Sequence, residues 1–208
     1  MSSTESEETP KAAESTTSQA VAPQKSTSTG EIARKAEHRY LTALAIYAGN
    51  TSSLEITRPT ITNCPDGGHD LNVRGTTDEV KDLVSNLTQT PFEELSFLDG
   101  SAVDGNLKVR IDVKSGKTIS GDTIDNHVSN STRSPDCQVN LLALTNPNYQ
   151  ITKEAHKKLD VQKPLFQEIG TLIGIAPLEG LERIEDINKS QEATTNSDES
   201  APGGNKTL

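Results

Sequence analysis

Between residues 31 and 47 the apolar positions Ile32, Ala36, Tyr40, Ala43, Leu44 and Tyr47 recur at helical spacing, which predicts an amphipathic helix closed by Gly49 as a left-handed cap. The pattern then changes to alternation through Leu54, Ile56 and Ile61, with Pro59 limiting residues 53–62 to an edge or bulged strand. A loop over 64–70 leads into a short strand at 71–74. Thr76 and Glu79 have capping-box spacing ahead of Val80, Leu83, Val84 and Leu87, predicting a second helix. Thr90, Pro91 and Glu93 start a short helix that runs through Phe97.

The clearest strand is 107–113. Leu107, Val109, Ile111 and Val113 face one way and Lys108, Arg110 and Asp112 the other, so one face is expected to be buried and the other wet. A three-residue hairpin loop, Lys114-Ser115-Gly116, would set Ile111 opposite Ile119. Val113-Lys114-Ser115-Gly116-Lys117-Thr118-Ile119 resembles the first hairpin turn of ubiquitin-like domains over those residues alone, and nothing about function follows from it. Residues 122–137 read as a loop and 137–144 as a central strand ending at the turn Asn146-Pro147-Asn148. Thr152 caps a helix through Leu159, and 164–175 and 177–187 read as two more helices. These elements predict an α+β fold, a mainly antiparallel sheet packed with several helices.

Composition divides the chain. Residues 1–30 and 189–208 are rich in Ser, Thr, Glu and Ala and poor in core residues, so they are expected to be disordered N- and C-terminal tails around a single domain at 31–188. The N-terminal stretch lacks the basic and apolar regions of a signal peptide and carries Glu5, Glu7, Glu8 and Glu14 against Lys11 and Lys25. The expected location is the cytoplasm, with no membrane span. With 20 Lys and Arg against 30 Asp and Glu, the chain has a net charge of −10 and repels phosphate backbones at long range. The best basic cluster is Arg34, Lys35, His38 and Arg39. A nucleic-acid surface would require it to join Lys108, Arg110 and Lys114.

Several chemistries are excluded. Gly116-Lys117-Thr118 could end a phosphate-binding loop, but the glycine required five residues earlier is Ile111. Asp99-Gly100 and Asp104-Gly105 lack the ligand alternation of an EF-hand and read as turns. The chain has no Gly-x-Ser-x-Gly, His-Glu-x-x-His or Cys-x-x-Cys. One constellation remains: Cys64 and His69 in one loop, with Asp66 and Asp70, and His127 and Cys137 in another, with Asp122 and Asp125. Their two sulfurs and two nitrogens match a tetrahedral zinc site, and Cys64 beside a histidine matches an activated thiolate.

Near the C-terminus, Leu178, Leu181, Ile184 and Ile187 form a helical stripe suited to a protein partner, and Gly170 and Gly174 are spaced for close helix approach. The expectation is a non-enzymatic protein-interaction module without a cofactor, serving as adaptor, accessory subunit or structural component of an assembly through a protein partner or self-association. The alternatives are a metal-binding or thiol-dependent small hydrolase built on the Cys64/His69 and His127/Cys137 loops, with zinc as its cofactor, and a weak nucleic-acid-binding protein.

Overall fold

Strand β3 (Asn106–Lys114) is the centre of the molecule, and both of its faces are covered. The computed structural model describes residues 29–51, 53–58 and 71–198. Helix α1 (Thr29–Gly49) leads into strand β1 (Glu55–Thr57); strand β2 (Leu71–Thr76) is followed directly by helix α2 (Thr77–Thr88) and a 3-10 helix at Phe92–Leu98. After β3 come β4 (Thr118–Ile119), α3 (Gly121–Thr132), β5 (Val139–Leu144), β6 (Gln150–Ile151), α4 (Lys153–Glu168), β7 (Leu172–Ala176) and α5 (Leu178–Asp198).

The main sheet has the order β1-β2-β3-β5-β7. Its first two pairings are antiparallel, with Val73 opposite Val109, and its last two are parallel, with Ile111 beside Leu141 and Leu141 beside Gly174. The fold is therefore α+β with a mixed sheet, not the mainly antiparallel one expected. The parallel pairs β3-β5 and β5-β7 are joined through α3 and α4, the helical crossovers that parallel neighbours require. One layer of helices, α1, α2 and α5, buries Tyr40, Leu44, Leu83, Leu87, Leu181 and Ile184 against the odd-numbered residues of β3. The opposite layer, α3 and α4, buries Ile124, Ala155 and Leu159 against Leu142, Leu144 and Ile173.

Several expectations change for local reasons. Residues 121–132 are a helix, not a loop: Ser120 Oγ accepts from the Thr123 backbone N–H at 3.3 Å, and the Thr123 hydroxyl accepts from the Ser120 N–H at 3.4 Å. That helix covers the β3 face expected to be wet, leaving Arg110 1% and Asp112 4% exposed. The hairpin after β3 does not form, because β4 pairs parallel with β6 in a separate two-stranded sheet, Ile119 opposite Ile151. The helix expected over 164–175 is instead the end of α4, with Pro164 inside it, followed by β7. Gly170, at φ +70°, stops α4: its N–H donates to Gln167 O at 2.9 Å and the Thr171 N–H to Phe166 O at 2.9 Å. Gly170 is thus a turn residue and Gly174 a strand residue, so the pair makes no helix-packing motif.

Other features stand as expected or nearly so. The Thr76 N–H and hydroxyl both donate to Glu79 Oε2, at 3.3 and 2.6 Å, at the start of α2. The short helix after Thr90 is a 3-10 helix. Gly49 is not left-handed; only Gly105 and Gly170 have positive φ among the described glycines. The strand expected over 53–62 is seen as Glu55–Thr57, on the sheet edge, and Ile61 and Thr62 lie outside the described residues. Of the tail expected over 189–208, residues 189–198 are helical, because α5 continues to Asp198, with the Ser190 and Thr194 hydroxyls donating to the carbonyls of Asp186 and Ser190. Residues 1–28 and 199–208, where the rest of the tail expectation falls, lie outside the described residues. Among the described residues no helix is long and apolar enough to cross a membrane.

Candidate functional site

The even-numbered residues of β3 make a charged row on the face covered by α3: Lys108, Arg110, Asp112 and Lys114. Strand alternation places them on one side, while Leu107, Val109, Ile111 and Val113 enter the core on the other. Asp112 and Lys114 form an ion pair, Oδ1 to Nζ 2.8 Å but without hydrogen-bond alignment, in which the carboxylate side chain is 6% exposed and the lysine 41%. The carboxylate is thus set in the wall and the ammonium reaches solvent. Arg110 is among the largest fully buried side chains, and next to it on β5 is Asn140, 0% exposed, whose Oδ1 has no hydrogen-bond partner.

His127 of α3 lies over this row and is buried. Neither ring nitrogen makes a well-aligned hydrogen bond. Burial lowers its pKa to about 4; the Asp112 charge and a backbone contact to Asn140 pull it up, and Arg110 and Lys114 push it down. The imidazole is neutral at physiological pH and adds no cation to the three on β3. Its neighbour one turn on, Ser131, donates its hydroxyl to the His127 carbonyl at 2.8 Å.

Toward the N-terminal end of β3 the same face opens into a groove of about 300 Å³, walled by Glu55, Asn72, Arg74, Lys108, Asp136 and Cys137. Register explains the grouping: Glu55 pairs with Arg74 and Arg74 with Lys108, so three adjacent strands bring alternate charges to one spot. Lys108 Nζ meets Asp136 Oδ2 at 3.0 Å.

The residues singled out by sequence fall in different places. Cys64, His69, Asp66 and Asp70 lie outside the described residues. His127 and Cys137 have separate surroundings, the first buried under α3 and the second half-buried in the groove wall. Burial and then the Asp136 charge push the Cys137 thiol up, which leaves less of it as nucleophilic thiolate. Asp125 holds Lys158 of α4 at 2.6 Å and Asp122 starts α3. No cluster of three or more His, Cys, Asp or Glu suited to a metal occurs among the described residues.

Leu178, Leu181 and Ile184 are buried in the core, and Ile187 packs against it, so the helical stripe is covered by the chain's own helices. Arg39 is taken up by Glu185 through two bonds of 2.8 Å, and Lys35 by Glu31 at 3.0 Å. Since α1 packs on the odd-numbered face of β3, the basic cluster of α1 and the even-numbered row belong to opposite layers.

The row on β3 was overlooked because its alternation reads as an ordinary wet face. The available signal was its neighbour: 139–144 carries almost no polar positions, so it had to be covered on both faces, and a strand beside it shares that cover. Compared with protein-family models, curated proteins and solved structures, the chain matches none.

Proposed function

We propose that this protein is a divalent-cation-dependent hydrolase of phosphodiester bonds in nucleic acid, with its reactive centre at Asp112 and Lys114. The observation that carries the reading is the row of charges set into a covered sheet face where the neighbouring strands place Leu142, Leu144 and Ile173. Burying ionised groups is costly, and a fold that could fill those positions with aliphatic residues gains nothing in stability by charging them. Such groups cluster where chemistry needs them. Asp112 and Lys114 also lie toward the carboxyl end of β3, beside the parallel β5, the edge at which open sheets with helical crossovers hold ligands.

The chemistry fits phosphate. Lys114 at the surface and the buried Arg110 flank Asp112 on the strand, two cations beside one carboxylate in a chain whose overall charge is −10. Magnesium takes one or two carboxylates and completes its octahedron with waters and substrate phosphate oxygens, so Asp112 does not need a cluster of protein ligands around it. Lys114, 2.8 Å from Asp112, stabilises the added negative charge as water attacks phosphorus and gives up its proton to solvent. One ester P–O bond then breaks, and the leaving oxygen takes its proton from solvent.

The expectation of an interaction module drew its positive support from the two tails, which fall largely outside the described residues, and from the helical stripe, whose apolar side chains are occupied inside the chain. The test is cleavage of single-stranded DNA, duplex DNA and RNA by the full chain with magnesium or manganese. Asp112→Asn and Lys114→Ala should each lower the rate on the order of 10²-fold or more, and a chelator should abolish it. Absence of cleavage with either metal on all three substrates, or an Asp112→Asn rate equal to the parent's, overturns the reading.

A further inference from the structure

We propose that the groove walled by Asn72, Arg74 and Lys108 is a subsite for a nucleotide flanking the scissile phosphate, and that it reads the base as well as the backbone. The inference rests on the hydrolase reading for what lies at the other end of the row, and it goes beyond that reading by assigning a second binding site.

The argument begins with position. Lys108 and Asp112 are four residues apart on the same face of one strand, about 13 Å at the usual rise of about 3.3 Å per residue. A groove at that distance from Asp112, with the buried Arg110 between them, lies within reach of a neighbouring unit of a polymer and beyond the reach of the group being cleaved. Its volume of about 300 Å³ matches one small ligand unit rather than a duplex.

Charge supplies the second step. A subsite that holds only phosphate would be lined by cations alone. Here Arg74 and Lys108 alternate with Glu55 and Asp136, and Asn72 adds an amide that both donates and accepts. Balanced donors and acceptors of this kind suit the edge of a nucleobase: arginine against guanine, asparagine against adenine and a carboxylate against an exocyclic amino group. The guanidinium plane of Arg74, which is exposed, is also a surface on which an unstacked base can lie. The phosphate of that nucleotide then falls to Lys108, which its Asp136 partner holds in place at 3.0 Å.

Cys137 lines the groove and gives a readout independent of cleavage. The full chain is treated with an alkylating agent at mildly alkaline pH in the presence of a chelator, with and without a single-stranded oligonucleotide whose binding is followed by fluorescence anisotropy. Peptide mass mapping separates Cys137 from Cys64. With oligonucleotide at about ten times its Kd, mass action leaves about one site in eleven open, so labelling of Cys137 should slow about tenfold. Inorganic phosphate should give no such protection. Arg74→Gln and Asn72→Ala should remove the protection, whereas Asp112→Asn should keep it while losing cleavage. Unslowed labelling with the oligonucleotide bound, protection that survives both groove substitutions, or an oligonucleotide that does not bind overturns the subsite. The cleavage assay is decided separately, so cleavage without protection leaves the hydrolase reading standing, and protection without cleavage overturns that reading alone.

Discussion

Gly180 of α5 lies against the backbone of Leu87 at the end of α2, so close that a Cβ on Gly180 would stand 1.9 Å from the Leu87 carbonyl oxygen and 2.6 Å from its carbon. The obstacle is main chain, which cannot swing aside as a side-chain tip can. Alanine ordinarily improves a helix interior by up to about 1 kcal/mol over glycine. Here the sign reverses, because the two helices must separate to admit the methyl group. Gly180→Ala should destabilise the chain by about 1–3 kcal/mol, the usual cost of overpacking. Denaturant unfolding checks it, and an unchanged or raised midpoint would show that the crossing is looser than described.

Asn188 joins the same helix layer from the other side, donating Nδ2 to the Ala43 carbonyl of α1 at 2.9 Å while only 4% exposed. Its Oδ1 has no hydrogen-bond partner, so one half of a buried amide is satisfied and the other is not. Asn188→Ala loses the bond and opens a cavity, at a cost of about 1–2 kcal/mol. Asn188→Leu also loses the bond but fills the space and removes the unpaired oxygen, so it should cost less than the alanine. Paired thermal melts of the two variants test that order.

Local chemistry was legible from the sequence and long-range pairing was not. Thr76 and Glu79 announce the start of α2 because a capping box is complete within four residues, and Thr152 does the same for α4, accepting from the Ala155 N–H at 3.1 Å. Leu172-Ile173-Gly174-Ile175-Ala176 reads equally well as part of an apolar helix, and only the partner strand β5, with Val139 beside Leu172, decides for a strand. The burial of the charged row on β3 was hidden by the same route. Arg110, Asp112 and Lys114 were in plain view as an alternating face, but whether that face is wet depends on α3, and α3 begins at Ser120-Gly121, a pair that reads as an interruption. Once Thr123 is recognised as the capping partner of Ser120, the cover over β3 and the burial of its charges follow together.

Asp112→Asn separates a functional carboxylate from a structural one. The substitution keeps the volume, and Lys114 is exposed enough to remain hydrated without its partner. Stability should therefore stay within about 1 kcal/mol of the parent, whereas a buried pair that held the fold together would cost about 3–5 kcal/mol on losing one member. Magnesium should raise the melting temperature of the parent by binding the folded state and should not raise that of Asp112→Asn. A large loss of stability, with an identical magnesium response in both proteins, would make the pair a structural feature.

His127 sets the acid limit of the fold. Burial holds its folded pKa at about 4, below the ordinary 6.5, with the Asp112 charge opposing and the Arg110 and Lys114 cations reinforcing the shift. A depressed imidazole means that the unfolded chain binds the extra proton first as pH falls. Stability is therefore present in full above about pH 6.5 and drains away as the pH falls toward about 4, where the native state also takes up the proton. The shift corresponds to a loss of about 3 kcal/mol at most, given about 1.4 kcal/mol per pKa unit. His127→Gln has no proton to take up in this range, so its stability should change less between those two pH values than the parent's. Urea unfolding at intervals across the window measures both slopes. Parallel curves would mean that the imidazole titrates alike in the folded and unfolded chains, and that the polar cluster beneath α3 is open to water.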